Sequence, residues 1–143
     1  MDVMEKKLYT ATVTVEGGRE GKIVSSDGVL DMSLKVPKEL GGPGGHGSNP
    51  EQLFAAGFAA CFEGAMGVVM RKQRLKSEGI KITSHVTLGK DADDGFVLSV
   101  YMDISIKGVE MSVAKQIVEE AHNVCPYSRA TRGNIEVITN VVD

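Results

Sequence analysis

Apolar and polar positions alternate with a period of two over several stretches of this chain, and one long apolar run interrupts them. From Leu8 to Val15, Tyr9, Ala11, Val13 and Val15 share one face, which predicts a half-buried strand. Glu16-Gly17-Gly18-Arg19-Glu20-Gly21 reads as a turn, followed by a short strand over Lys22 to Ser25. Asp27-Gly28 is a hairpin signal that leads into a third strand near Val29 to Val36. Farther on, Ile80 to Leu88 alternates again, and Asp91-Ala92-Asp93-Asp94-Gly95 turns the chain. In Phe96 to Ile106 the pattern is cleanest: Phe96, Leu98, Val100, Met102, Ile104 and Ile106 on one face, Ser99, Tyr101, Asp103 and Ser105 on the other. A helix capped by Ser112 follows, with Val113, Ile117, Ala121 and Val124 toward the core. It ends at Cys125-Pro126, since the residue before a proline is pushed out of helical conformation. Asn134 to Val141 supplies the last strand.

Between the two sets of strands lies the run Ser48 to Met70, SNPEQLFAAGFAACFEGAMGVVM, which predicts one long helix. Asn49 is placed to cap it, Pro50 suits the first helical position, and Asn49 with Gln52 has capping-box spacing. Past Leu53 it is apolar nearly all round, as a buried helix is. The basic residues Arg71, Lys72, Arg74 and Lys76 at its far end answer the helix dipole. The order βββ, helix, ββ, helix, β predicts an α+β fold in which antiparallel sheets wrap a long buried central helix. No repeat or low-complexity linker divides the chain, so residues 1–143 are expected to form a single domain.

Composition changes this picture little, but it removes several function classes. At 143 residues and 42% hydrophobic content the chain can build a core without disulfide staples. A net charge of −3 gives no general attraction to nucleic acid or anionic membrane, and no recognition helix or basic face is visible. Leu53 to Met70 approaches the minimum length of a membrane span. However, eight of its 18 residues are Ala or Gly and Glu63 sits mid-segment, so no span is expected. The start, MDVMEKKLYT, lacks an apolar signal segment, which points to a cytoplasmic location. Five glycines between Pro37 and Gly47 resemble a phosphate cradle only superficially, because the Gly-Lys-Ser/Thr that would hold phosphate and metal is missing. His46 has no second ligand at metal-binding spacing.

The candidate chemistry lies in Cys61, Cys125, Arg19, Glu51 and the apolar residues near Cys61. Each has a structural explanation. A free cysteine in an Ala-rich helix is commonly core. Glu51 in a first turn answers the helix dipole, and Arg19 at a hairpin tip is solvated. Phe54, Phe58, Phe62, Met66 and Met70, four apart, form a core stripe as readily as a substrate wall. Joined, they allow another reading. Thiols react as thiolates, and a guanidinium such as Arg19, aimed by a two-pronged ion pair with Glu51, would lower the Cys61 pKa. Cys125, between a helix end and Pro126, is placed to move. An activated thiol plus a mobile one is the arrangement of a peroxide reducer, which passes from sulfenic acid to disulfide.

Asn49-Pro50-Glu51-Gln52-Leu53-Phe54-Ala55-Ala56-Gly57, Ala59-Ala60-Cys61-Phe62 and Cys125-Pro126-Tyr127-Ser128-Arg129-Ala130-Thr131-Arg132-Gly133-Asn134 resemble the two cysteine motifs of the organic hydroperoxide resistance proteins, a branch of the OsmC-like family. The cysteines are 64 positions apart, and Arg19 falls in register. The resemblance implies an intertwined homodimer with active sites at the subunit interface. It also implies reduction of organic and fatty-acid hydroperoxides, through a disulfide that a lipoylated protein or dihydrolipoamide re-reduces. On it, Cys61 is the attacking thiol, Cys125 the resolving thiol, and Arg19 with Glu51 the activating pair. Phe54, Phe58, Phe62, Met66 and Tyr127 would line the substrate site; no cofactor and no metal is implied. Arg129 departs from the pattern, standing where many members carry a small amide side chain.

One constraint follows from helix geometry. Glu51 and Cys61 are ten residues apart, about 15 Å along a straight helix. Either the helix breaks, with Gly57 a candidate, or Glu51 and Arg19 serve the Cys61 of a second subunit. Two other functions fit the same residues: a general thiol–disulfide oxidoreductase, and a non-catalytic dimer that binds acyl molecules.

Overall fold

Two compact units make up the chain, Met1–Pro50 and Glu51–Asp143, and the computed structural model describes all 143 residues. In the first unit, β1 (Val13–Glu16), β2 (Lys22–Ser25) and β3 (Asp31–Ser33) form the expected antiparallel meander in the order β1-β2-β3. The register runs from Val13↔Ser25 to Glu16↔Lys22 on one side of β2 and from Lys22↔Ser33 to Val24↔Asp31 on the other. The outer strands are shorter than the alternation predicts. The middle strand has four residues, so the β1 ladder ends at Val13; the Thr12 carbonyl still accepts from the Ser26 N–H at 2.9 Å, and the alternation of residues 8–11 lies outside the ladder. The β2–β3 turn is wide: Asp27 Oδ1 accepts from the Ser25 hydroxyl at 2.6 Å and from the Val29 N–H at 3.0 Å, with Gly28 at φ 75°. That geometry holds Val29 and Leu30 in the turn and delays β3 to Asp31.

Between β1 and β2 the chain makes one 3-10 turn, Gly18–Glu20, which carries Arg19 on the surface as the sequence predicts for a hairpin tip. A Cβ at Gly21 would run into the Glu16 carbonyl oxygen, so this tight return requires glycine.

The second unit is built on α1 (Pro50–Lys72). It is one unbroken helix, so Gly57 does not break it. Its buried side chains are Phe58, Phe62, Ala65, Met66, Val69 and Met70. These pack with Val100, Met102, Ile104 and Ile106 of β5 (Phe96–Lys107) and with Ala114, Ile117, Val118 and Ala121 of α2 (Met111–Val124). The apolar character that would let α1 cross a bilayer by length and composition is thus used on this side as a core face. The burial is one-sided: Gln52, Ala56, Ala60, Glu63 and Gly64 are exposed in the single chain, where the sequence suggests burial all round.

β4 (Gly79–Lys90) and β5 pair antiparallel along their whole length, from Gly79↔Lys107 to Lys90↔Phe96. At the turn Asp91 Oδ1 accepts from the N–H groups of Asp93 and Gly95, both at 2.9 Å. β6 (Val137–Val142) pairs with β5 in parallel, Val100↔Val137 to Ser105↔Val142, which corrects the expectation of purely antiparallel sheets. The reason is the connection: α2 and α3 (Pro126–Thr131) form a helical crossover, which returns the chain to the end of the sheet where β5 began. Two details of α2 also differ. It starts at Met111 after an extended Glu110, so Ser112 lies inside the first turn rather than at the cap. Val124 is exposed, and Val118 takes its predicted place in the core.

Candidate active site

The α1 core face and the α2–α3 joint meet at the two cysteines. Cys61 lies on the edge of the buried stripe of α1, half-buried, between the fully buried Phe58 and Phe62. Cys125 is completely buried. Its burial differs from the sequence expectation of a residue placed to move at a helix end. Pro126 ends α2 but also begins α3 as its first residue, the position where a missing N–H costs a helix nothing. Cys125 is therefore the single extended residue between two helices, at φ −66° and ψ 119°. Its N–H donates to the Ala121 carbonyl at 2.8 Å and its carbonyl accepts from the Arg129 N–H at 3.0 Å.

This joint aims the Cys125 thiol at Cys61, and the two Sγ atoms are 3.9 Å apart. Burial pushes the Cys61 thiol above the ordinary range. The charge of Cys125 and the hydrogen bond between the sulfurs push it the same way, since two neighbouring thiolates repel. The Tyr127 backbone N–H opposes them. In the first turn of α3 that N–H has no intrahelical acceptor, and it favours negative charge on the Cys61 sulfur. Sequence reasoning passed over this donor, although Pro126 gives it away: proline has no N–H, so Tyr127 supplies the first one after Cys125.

An aromatic group stands beside the sulfurs. Phe54 and Phe58 rings are 6.2 Å apart, Phe54 and Tyr127 6.2 Å, and Phe58 and Tyr127 5.6 Å, in edge or tilted arrangements. Tyr127 lies over Gly57, where a Cβ would come within 3.0 Å of its hydroxyl. Of the five predicted lining residues, Tyr127 is exposed and Phe54 partly so, whereas Phe58, Phe62 and Met66 are wholly inside the core. Glu51 is in the first turn of α1, about 15 Å along the helix axis from Cys61. Arg19 belongs to the first unit.

Behind Cys125, three polar side chains to which the sequence assigned no role form a network, although Ser128 lies within the second motif. His122 Nδ1 shares a hydrogen bond with Ser128 Oγ at 2.9 Å, and Nε2 one with Thr139 Oγ1 at 3.2 Å. Burial lowers the His122 pKa below its ordinary value, and the Arg132 charge lowers it further, so the ring is neutral near pH 7. The only signal for this group in the sequence is the symmetric placing of His122 and Ser128, three residues before and after Cys125.

Known proteins share this arrangement of sequence and fold. The model of the OsmC-like protein family matches residues 41–140. An organic hydroperoxide resistance protein of Xanthomonas axonopodis pv. citri (strain 306) is 53% identical over 134 residues, covering 93% of this chain and 94% of that protein. The organic hydroperoxide resistance protein OhrA of Bacillus subtilis (strain 168) is 46% identical, over 98% of this chain and 100% of its own length. Among solved structures, an organic hydroperoxide resistance protein from Legionella pneumophila superposes with a TM-score of 0.91 at 45% identity, covering 96% of this chain and 100% of that one. The α+β arrangement of two small sheets and one long helix is shared with such structures. The chain belongs to the OsmC-like protein family, among the organic hydroperoxide resistance proteins.

Proposed function

We propose that the protein is a cysteine-based peroxidase that reduces organic hydroperoxides, alkyl and fatty-acid, to alcohols. The observation that carries the reading is the pair of free thiols 3.9 Å apart, one half-buried beside an aromatic surface and one fully buried. In the first step the Cys61 thiolate attacks the terminal peroxide oxygen; the O–O bond breaks, and the alkoxide leaves and takes a proton to become the alcohol. Cys61 is then a sulfenic acid. In the second step Cys125 sulfur attacks Cys61 sulfur, the S–O bond breaks, and hydroxide leaves as water with the Cys125 proton. A dithiol, either a lipoylated protein or dihydrolipoamide, reduces the disulfide. The sulfurs carry the electrons throughout.

Because burial and Cys125 hold the Cys61 thiol up, fast attack requires a cation to stabilise the thiolate. We assign that role to Arg19, oriented by Glu51. Unbroken α1 keeps Glu51 distant from the Cys61 of its own helix. The reading therefore includes a homodimer in which Arg19 and Glu51 of one subunit serve the other's thiol. The exposed small residues Ala56, Ala60 and Gly64 of α1 suit the close approach of a second copy. Phe54 and Tyr127 would contact the organic tail, with Phe58, Phe62 and Met66 as the apolar bed beneath them. Two thiols kept free for turnover suit a reducing, cytoplasmic location.

The test is turnover of an alkyl hydroperoxide with dihydrolipoamide, set beside hydrogen peroxide and monothiols. Cys61→Ser should be inactive, and Cys125→Ser should consume one equivalent of peroxide and stop. Activity retained by Cys61→Ser refutes the reading. Oxidation by small disulfides as fast as by alkyl peroxide would instead support a general thiol–disulfide exchanger. Absence of a Cys61–Cys125 bond after substoichiometric peroxide would support an acyl-binding dimer.

A further inference from the structure

The backbone bonds at Cys125 fix its position along the chain, but they do not close the angle between α2 and α3. A side chain does that. His122 leaves the last turn of α2, reaches over the joint to Ser128 Oγ of α3 with Nδ1, and holds Thr139 of β6 with Nε2. The same ring packs against Phe62, centroid to centroid 4.8 Å, and Phe62 directly follows Cys61 on α1. Its own backbone is held as well, since Arg132 Nη2 donates to the His122 carbonyl at 2.7 Å. One imidazole thus touches the helix that bears Cys61 and both helices that flank Cys125.

We infer that His122 is a positioning residue for disulfide closure: by fixing the α2–α3 joint against Phe62 and β6, it holds Cys125 within reach of the oxidised Cys61. This rests on the peroxidase reading above, in which Cys125 displaces hydroxide from the Cys61 sulfenic acid. Sulfurs 3.9 Å apart must approach by about 2 Å to bond. A joint free to open would put Cys125 out of line and leave the sulfenic acid exposed to a second peroxide.

Ser128 is itself buried, at 5% exposure, so its hydroxyl depends on a protein partner. His122 is that partner, and both members of the pair flank the resolving thiol. Being neutral, the ring donates through one nitrogen and accepts through the other, and a hydroxyl can serve either role. Both ring nitrogens are therefore satisfied by hydroxyls, and the ring needs no charge of its own to hold the joint.

The experiment is single-turnover kinetics with one equivalent of alkyl hydroperoxide, following peroxide loss and disulfide formation separately, on the wild type and on His122→Phe, Ser128→Ala and Thr139→Val. In His122→Phe the attack rate should stay within about twofold of wild type while closure slows by about tenfold or more, as expected for a misplaced reacting group. Cys61 sulfinic acid should accumulate under excess peroxide. Ser128→Ala should show the same split more weakly, and His122→Asn, which keeps a donor toward Ser128, should recover part of the closure rate. If attack and closure slow in parallel, His122 is merely structural and the inference is wrong. Closure at the wild-type rate in all variants also overturns it. Should His122→Phe fail to fold, Ser128→Ala and Thr139→Val decide by the same split. A wild type that consumes peroxide without forming the disulfide overturns the underlying peroxidase reading, and is distinguished by that result from a failure confined to the variants.

Discussion

Oxidation should stabilise this protein by an amount the structure allows to be worked out. Closing a bond between Cys61 and Cys125 ties off a segment of 64 residues. The chain-entropy relation for a loop of that length gives about 4 kcal/mol of stabilisation, through the unfolded state alone. Against this stands the native-state cost of drawing the two sulfurs together by about 2 Å. Cys61 is on a rigid helix, so the movement falls on the α2–α3 joint, where only Cys125 is extended. If the joint moves without disturbing the core, most of the entropy gain survives, and for a chain of this size it raises Tm by roughly 10 °C. The assay is thermal unfolding of the dithiol-reduced protein beside protein treated with one equivalent of alkyl hydroperoxide, with mass spectrometry confirming an intrachain bond. Cys125→Ser treated in the same way should show no such rise. An oxidised form that melts at or below the reduced form would refute the reasoning, because closure would then strain the core by more than the loop gains.

Three other outcomes are expected. Phe58→Ala removes a fully buried ring that also contacts Phe54 and Tyr127, and should cost about 3–5 kcal/mol in urea unfolding; a loss below about 1 kcal/mol would mean that the site collapses to fill the gap. Ser84 Oγ is buried on β4 without a hydrogen-bond partner, so Ser84→Ala should leave stability unchanged or raise it by about 1 kcal/mol, and a clear loss in the same assay would contradict the unpaired assignment. The Asp27 carboxyl is held below its ordinary value by the Ser25 hydroxyl first and the Val29 N–H second. Its contribution is present above the unfolded carboxylate pKa and lost as pH falls through the lower folded value. Asp27→Asn should therefore flatten the acid side of the stability–pH curve, and an unchanged acid limb would show that the turn does not hold the charged form.

Much of the fold was legible because local patterns and tertiary partners agree. The strict alternation of Phe96 to Ile106 needs a sheet with one buried face, and Val100 to Ile106 supply it. Asp27-Gly28 and Asp91 to Gly95 carry turn chemistry that acts within a few residues. What misled was context. Alternation over residues 8–11 is a strand pattern without a ladder to join in its own sheet, and the parallel pairing of β6 depends on where a helical crossover delivers the chain. The apolar run of α1 signals burial but not its side. In this chain one face is core, while the face with Ala56, Ala60 and Gly64 is open.

For the site, the sequence by itself determined the candidate residues: two thiols in long, distinctive motifs, an aromatic group around them, and a proline that places Cys125 at a helix boundary. Their distance was decided by the tertiary structure, because a separation of 64 residues fixes no geometry until α1 and the α2–α3 joint pack on one core. The same packing decided that Cys125 is buried rather than loose, that Tyr127 offers its N–H to Cys61, and that His122 braces the joint. Residue types and local signals are written along the chain, whereas burial, the shift in a thiol's pKa and the reach of one sulfur to another depend on neighbours that only folding brings together.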